Sequence, residues 1–155
     1  MSFDKKFLAL KDLPPQPGVP KGANFIQYRK TGKLLTLSGY GPLKGAIIPR
    51  QYKGKLGKDL TAKQGYNAAR LTAINLLLIA RSAIKSLDKV DYILNVEGFV
   101  NCADSFTDQP SVINGCSDLL VEIFGKQGHH TRSAIGVNTL AFDISVEISM
   151  SLMTK

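Results

Sequence analysis

"HHTRSAIGVNTLAFDISVEISMSL" (His129–Leu152) is the stretch on which the reading of this chain turns. Its second half alternates. Ile144, Val146, Ile148, Met150 and Leu152 share one face of an extended strand, and Ser145, Glu147, Ser149 and Ser151 share the other. The apolar face is built for a core. The polar face carries one carboxylate, Glu147, and Arg132 opens the strand before it. Pairing residues 132–138 with 143–149 as an antiparallel hairpin around a loop at 139–142 sets Asn138 against Asp143, Ala134 against Glu147 and Arg132 against Ser149. Arg132 and Glu147 are then diagonal neighbours on one face, about 7–8 Å apart at the backbone. A guanidinium fork suits a carboxylate, which accepts two parallel hydrogen bonds from it. A glutamate beside it can orient a water or move a proton. Ala134, Gly136 and Ser145 are small and leave room. By spacing alone the pair reads as a small-carboxylate site with a general base or as a structural salt bridge, and the salt bridge is the stronger of the two.

Working backwards, "NGCSDLLVEIFG" (Asn114–Gly125) belongs to a helix that begins at Asp108 or Ser111, with Pro110 in its first turn and Gly125 as its stop. Val112, Cys116, Leu119, Leu120 and Ile123 form its apolar stripe. Gly115 inside it costs about 1 kcal/mol relative to alanine; it reads either as a position of close backbone approach or as a merely tolerated glycine. "VDYILNVEGFVN" (Val90–Asn101) reads as a strand with neither face simply in solvent. Before it, Thr61 and Gln64 form a capping box that starts a long helix. Apolar residues then recur at steps of three and four from Ala62 to Leu87. "FIQYRKTGKLLTLSG" reads as a hairpin, Phe25–Arg29 and Lys33–Ser38 around a turn at Lys30–Gly32. The long loop that follows, residues 40–59, is expected to hold a short strand at Ala46–Ile48 and has the length of a functional segment. Residues 1–24 read as an irregular arm ended by Pro14, Pro15, Pro17 and Pro20.

The order is therefore ββαβαββ: one α+β domain spanning residues 1–155, with a mixed sheet and both long helices on one face. The other sheet face, with Ser, Glu and Asn among small residues, is too polar for a dry core and too apolar for free solvent. It is expected to be a subunit interface with a wet cleft.

The chain carries 20 Lys and Arg against 12 Asp and Glu, a net charge of +8. Residues 1–70 hold 14 basic against 3 acidic side chains, while residues 71–155 hold 6 against 9. The basic half is mostly separated lysines in Gly/Pro-rich segments such as "YKGKLGKDL". This is better read as a solvated loop than as a nucleic-acid footprint, because no aromatic–basic interleaving accompanies it. Two cysteines, Cys102 and Cys116, lack metal-like spacing and suit a reducing compartment. The first residues do not read as a signal peptide and the longest apolar run is far below a membrane span, so a cytoplasmic location is expected.

"TRSAIGV" followed by "SVEISM", preceded by "GFVN" and "NGCSDLLVEIFG", resembles the Rid family, also called the YjgF or perchloric-acid-soluble family. "LLTLSGYGP" stands where that family has a strand ending in Ser-Gly-Gln. The resemblance runs from about Phe25 nearly to the end. It is closest to a bacterial-type branch distinct from the best-studied deaminases. It implies a chorismate-mutase-like α+β fold, a homotrimer with sites in clefts between subunits, and hydrolysis of reactive 2-imino acids to 2-keto acids and ammonia without metal or organic cofactor. It places Arg132 on the substrate carboxylate, Glu147 beside the attacking water, and Asn114, Ser38 and Gly39 around the substrate. The chemistry suits these residue types. An imine carbon is already electrophilic and needs a held carboxylate, a placed water and a proton path rather than a strong nucleophile.

The sequence departs from the deaminase pattern at four places. Phe25 stands where those enzymes have a tyrosine, Tyr40 replaces a glutamine, Ala134 a cysteine and Gly136 a glutamate. Two other readings follow. Phe25 favours a non-catalytic trimer that binds small carboxylates. The family's older endoribonuclease description, with His129 and His130 beside Arg132, favours RNA binding or cleavage; adjacent strand residues point to opposite faces, so the two histidines do not share one site. Tyr66 and Glu97 read as core packing and an interface or solvated carboxylate.

Overall fold

The computed structural model describes all 155 residues, Met1–Lys155. A short helix α1 (Phe3–Leu8) precedes a hairpin of β1 (Tyr28–Thr31) and β2 (Leu34–Tyr40). Helix α2 (Ala62–Ile84), strand β3 (Val90–Asn101), helix α3 (Gln109–Phe124), strand β4 (Thr131–Val137) and strand β5 (Val146–Thr154) follow. The long elements form where the periodicity puts them. Thr61 caps α2 through a capping box with Gln64, and Gly125 ends α3.

The five strands lie in the order β1-β2-β5-β3-β4. β5 sits between β2 and β3, antiparallel to both, and β4 is the edge strand, parallel to β3. The hairpin expected from residues 132–138 and 143–149 does not form. A helix joins β3 to β4, and a strand–helix–strand connection returns the chain parallel to its first strand. Residues 138–145 then carry the chain across the end of β3 and into the sheet centre, with Phe142 and Asp143 at positive φ of 58° and 57°. Alternation fixes which face a residue uses, but not which strand it pairs with.

The faces follow from burial. Val146, Ile148, Met150 and Leu152 on β5, with Val96 and Val100 on β3, are buried beneath α2 and α3. Glu147, Ser149 and Ser151 alternate with them and turn to the face that no helix covers. Gly115 explains how closely the helices approach: a Cβ there would lie 2.0 Å from the Tyr66 carbonyl oxygen of α2.

Residues 1–24 are not irregular throughout. Ser2 caps α1, Phe7 is fully buried, and the Phe3 ring meets Phe124 edge-on at 5.0 Å. Asp4 accepts from Arg81 Nε at 3.0 Å and from the Leu87 amide at 2.9 Å. A six-residue helix is too short to show in periodicity and is held by these tertiary contacts. Within residues 40–59, the strand expected at Ala46–Ile48 is reduced to one bridge between Lys44 and Ile47. The loop is tied down rather than loose. Asn75 donates to the carbonyls of Gly41 and Leu43, Leu56 is fully buried, and Lys55 reaches Asn101 Oδ1 at 3.1 Å.

Candidate functional site

Arg132 lies on β4 in register with Val96, so its side chain shares the face covered by the helices and, at the sheet edge, comes up beside α3. Its Nη1 donates to Asn114 Oδ1 at 2.8 Å and to Ser117 Oγ at 3.1 Å. Asn114 and Ser117 are three residues apart on α3, which puts both on one helix face. Both Nη1 hydrogens are thereby engaged, while the Nε–H and Nη2–H groups have no hydrogen-bond partner in the chain. That remaining edge is the one that makes a two-bond contact with a carboxylate. Ala134 follows on the same face, level with Gly98 and Ile148 rather than with Glu147.

His130 completes this cluster. Its Nε2 is 3.0 Å from Ser117 Oγ and its Nδ1 is 2.6 Å from the Gly128 carbonyl oxygen. Burial pushes its pKa below the ordinary histidine value; the Gly128 bond opposes that, and the charges of Arg132 and His129 add to it. His129 is exposed and makes no side-chain hydrogen bond, so the two histidines do not form one acid–base pair. Cys116 lies in the same helix, fully buried, and burial pushes its thiol up to about 12 against a small lowering by Arg132. It is an inert core residue.

Glu147 belongs to a different place. It is in register with Phe99 on the uncovered face of the sheet and borders a cleft of about 620 Å³. Phe25, Gly39, Tyr40, Val19 and Phe142 also line that cleft; Arg132, Asn114 and Ala134 do not. The Glu147 carboxylate has no hydrogen-bond or ion-pair partner in the chain. Gly39 faces it so closely that a Cβ would stand 2.9 Å from its Oε1. A larger residue at 39 would displace the carboxylate, which gives the Ser-Gly pair a physical meaning. Ser38 Oγ donates to the Ile26 carbonyl at 2.6 Å. The Tyr40 hydroxyl accepts from Gln27 at 3.0 Å and lies 3.3 Å from the Gly18 carbonyl, so it fastens the arm and is not free for a ligand. Phe25 is 47% exposed at the mouth of the cleft.

Arg132 and Glu147 are therefore not diagonal neighbours on one face. β3 separates their strands and they use opposite faces of the sheet. Neither a salt bridge nor a shared site joins them within one chain. The side chains that sequence reasoning missed are Ser117, one turn after Asn114, and Gln27, which holds Tyr40; the spacing Asn114–Ser117 was the available signal. Tyr66 is not core packing. Its hydroxyl donates to Asp118 at 2.8 Å across the two helices. Glu97 accepts from Asn95 at 2.8 Å on the uncovered face.

Residues 15–148 match the family model described as "YjgF/chorismate_mutase-like, putative endoribonuclease". The chain belongs to the YjgF family. Protein TCP17 of Trypanosoma cruzi is 36% identical over 126 residues, 81% of this chain and 78% of that protein. Among solved structures, Atu1372 of Agrobacterium tumefaciens, a protein of unknown function, superposes with a TM-score of 0.89 at 30% identity, covering 99% of this chain and 92% of that one. A Shewanella oneidensis MR-1 protein given the same endoribonuclease description superposes with a TM-score of 0.89 at 28% identity, covering 99% of each chain. The YjgF match takes in both groups of residues, from Gly39 through Asn114 and Arg132 to Glu147. No helix is long and apolar enough to cross a membrane.

Proposed function

We propose that the protein hydrolyses reactive 2-imino acids to 2-keto acids and ammonia at clefts between the subunits of a homotrimer. The observation that carries this reading is the half-engaged Arg132: Nη1 is pinned to Asn114 and Ser117 while the Nε–Nη2 edge stays available for a carboxylate. Glu147, unpartnered beside the cleft, supplies the base, and it lies on the other face of the sheet. A site using both groups must therefore take Arg132 from one copy and Glu147 from another. The uncovered face carries apolar side chains that suit such an assembly, with Tyr92, Leu94 and Ile135 39–46% exposed. In the reaction the substrate carboxylate is held by Arg132. Glu147 accepts a proton from water as its oxygen bonds to the imine carbon. Glu147 returns that proton to the nitrogen, which gives a carbinolamine; the proton of the new hydroxyl then passes to the nitrogen as the C–N bond breaks and the C=O bond forms, and ammonia and the keto acid leave.

The test is to generate 2-iminopropanoate and 2-iminobutanoate in situ with a dehydratase or amino-acid oxidase and follow their decay with wild type and Arg132→Ala. Accelerated decay that vanishes in the variant supports the reading. No acceleration by folded, trimeric protein removes it for these substrates. Phe25 and the engaged Tyr40 hydroxyl favour one second reading, a non-catalytic trimer that binds small carboxylates. Arg132-dependent binding of 2-oxobutanoate without turnover is its signature. RNA cleavage that survives Arg132→Ala would point instead to the nuclease.

A further inference from the structure

The groups around Arg132 form a chain of hydrogen bonds with a fixed direction. The Gly128 carbonyl can only accept, so His130 Nδ1, 2.6 Å away, carries the ring proton. In the neutral ring Nε2 is then a bare acceptor. The Ser117 hydroxyl, 3.0 Å from Nε2, donates to it. This directs the oxygen lone pairs of Ser117 toward Arg132 Nη1 at 3.1 Å. Asn114 Oδ1 takes the other Nη1 hydrogen at 2.8 Å. The guanidinium plane is thus held from one nitrogen, by two acceptors on the same helix face. The charged or titratable groups that bear on the His130 ring are Arg132 and His129. From α3, Asp118 is turned to the Tyr66 hydroxyl, and Cys116 is buried as a neutral thiol.

We infer that His130, acting through Ser117, is a positioning residue that sets the rotation of the Arg132 guanidinium and so presents its Nε–Nη2 edge to a carboxylate ligand. His130 does not touch the ligand in this arrangement. Its role is to remove the alternative in which the Ser117 proton points at Arg132 and repels Nη1. A phenyl ring at 130 fills similar space without the acceptor. An alanine at 117 removes the link itself. The inference rests on the proposed carboxylate site for the ligand's identity, while the hydrogen-bond chain is a property of the protein alone.

The experiment has one readout for each. Nitrogen-15 NMR of the imidazole at pH 7.5 reports the tautomer with no ligand present. His130 is expected to show a protonated Nδ1 and a bare Nε2, and a protonated Nε2 would overturn the inference. Calorimetric titration with 2-oxobutanoate then compares wild type with Ser117→Ala, His130→Phe, the double variant and Ser117→Thr. Each single variant is expected to weaken binding by about tenfold, and the double variant by no more than either, since groups in one network are not additive. Ser117→Thr restores binding by keeping the hydroxyl, with thermal stability followed throughout to separate a folding defect. Single variants that bind as wild type, or losses that multiply in the double variant, overturn the inference. If wild type and Arg132→Ala alike fail to bind the keto acid, the carboxylate reading falls. The inference then stands or falls on the tautomer and on whether Ser117→Ala frees the Arg132 guanidinium to rotate, which arginine side-chain NMR reads directly.

Discussion

Replacing Gly39 with alanine separates the position of Glu147 from the stability of the fold. The new Cβ would lie 2.9 Å from Glu147 Oε1, 3.2 Å from its Cδ and 3.3 Å from its Cγ. Ordinary contact begins near 3.4 Å, so the carboxylate must retreat by about 0.5 Å. The atoms that move are the free end of a flexible side chain with no protein partner, and residue 39 does not use the left-handed backbone region. Alanine at a compatible position also limits the unfolded chain, a gain of about 0.4–1 kcal/mol. The steric and entropic effects oppose each other, so stability should change by less than about 1 kcal/mol, or about 4 °C in Tm. Catalysis is less tolerant. If a 1 Å misplacement of a catalytic group costs about 10²-fold, half of that costs about tenfold in kcat. The assay is 2-iminobutanoate decay beside thermal melting of both proteins. A tenfold slower kcat at unchanged Tm is expected. Full activity at unchanged Tm would refute the idea that Glu147 acts from its place against Gly39.

Gly115→Ala tests the helix layer. Its Cβ would meet the Tyr66 carbonyl oxygen at 2.0 Å, and neither backbone can rotate away, so a net loss of about 2 kcal/mol after the gain in helix propensity is expected, read as a Tm lower by about 4–8 °C. Asp4→Asn should lower Tm at pH 7 by about 2–4 °C, the effect of roughly 1 kcal/mol for an ion pair partly open to solvent. Burial raises the Asp4 carboxyl, but the Arg81 hydrogen bond, the Leu87 amide and the Arg81 charge outweigh it, so the folded pKa lies below the unfolded 3.8. The Asp4 contribution is therefore full above the unfolded value and disappears as pH falls through the folded one, and melting curves of the two proteins should converge in acid. Cys116, with its thiol at about 12 and no exposure, should resist alkylation at pH 8 in the native state and react only after denaturation; rapid native labelling, read by peptide mass, would contradict its burial.

The two long helices, the long strands and the alternation within each strand follow from the sequence alone, while the short helix α1 and the strand pairing do not. The capping box at Thr61, the stop at Gly125, the strand Val90–Asn101 and the alternation from Ile144 to Leu152 all appear where periodicity and local chemistry put them. These are interactions between residues a few positions apart, and such spacing is visible in a linear string. The glycine at 115 was visible as a cost in the helix, but only the structure decided between a tolerated glycine and a close neighbour, the Tyr66 carbonyl. Pairing was not legible. Whether β4 turns back on β5 or runs beside β3 depends on a choice between partners that alternation leaves equal, and the crossover through α3 decided it. That choice carried Arg132 to the helix-covered face beside Asn114 and Ser117 and left Glu147 on the open one against Gly39. The tertiary structure thus divided what the sequence had joined, since two side chains meet only if their strands are neighbours and their faces agree.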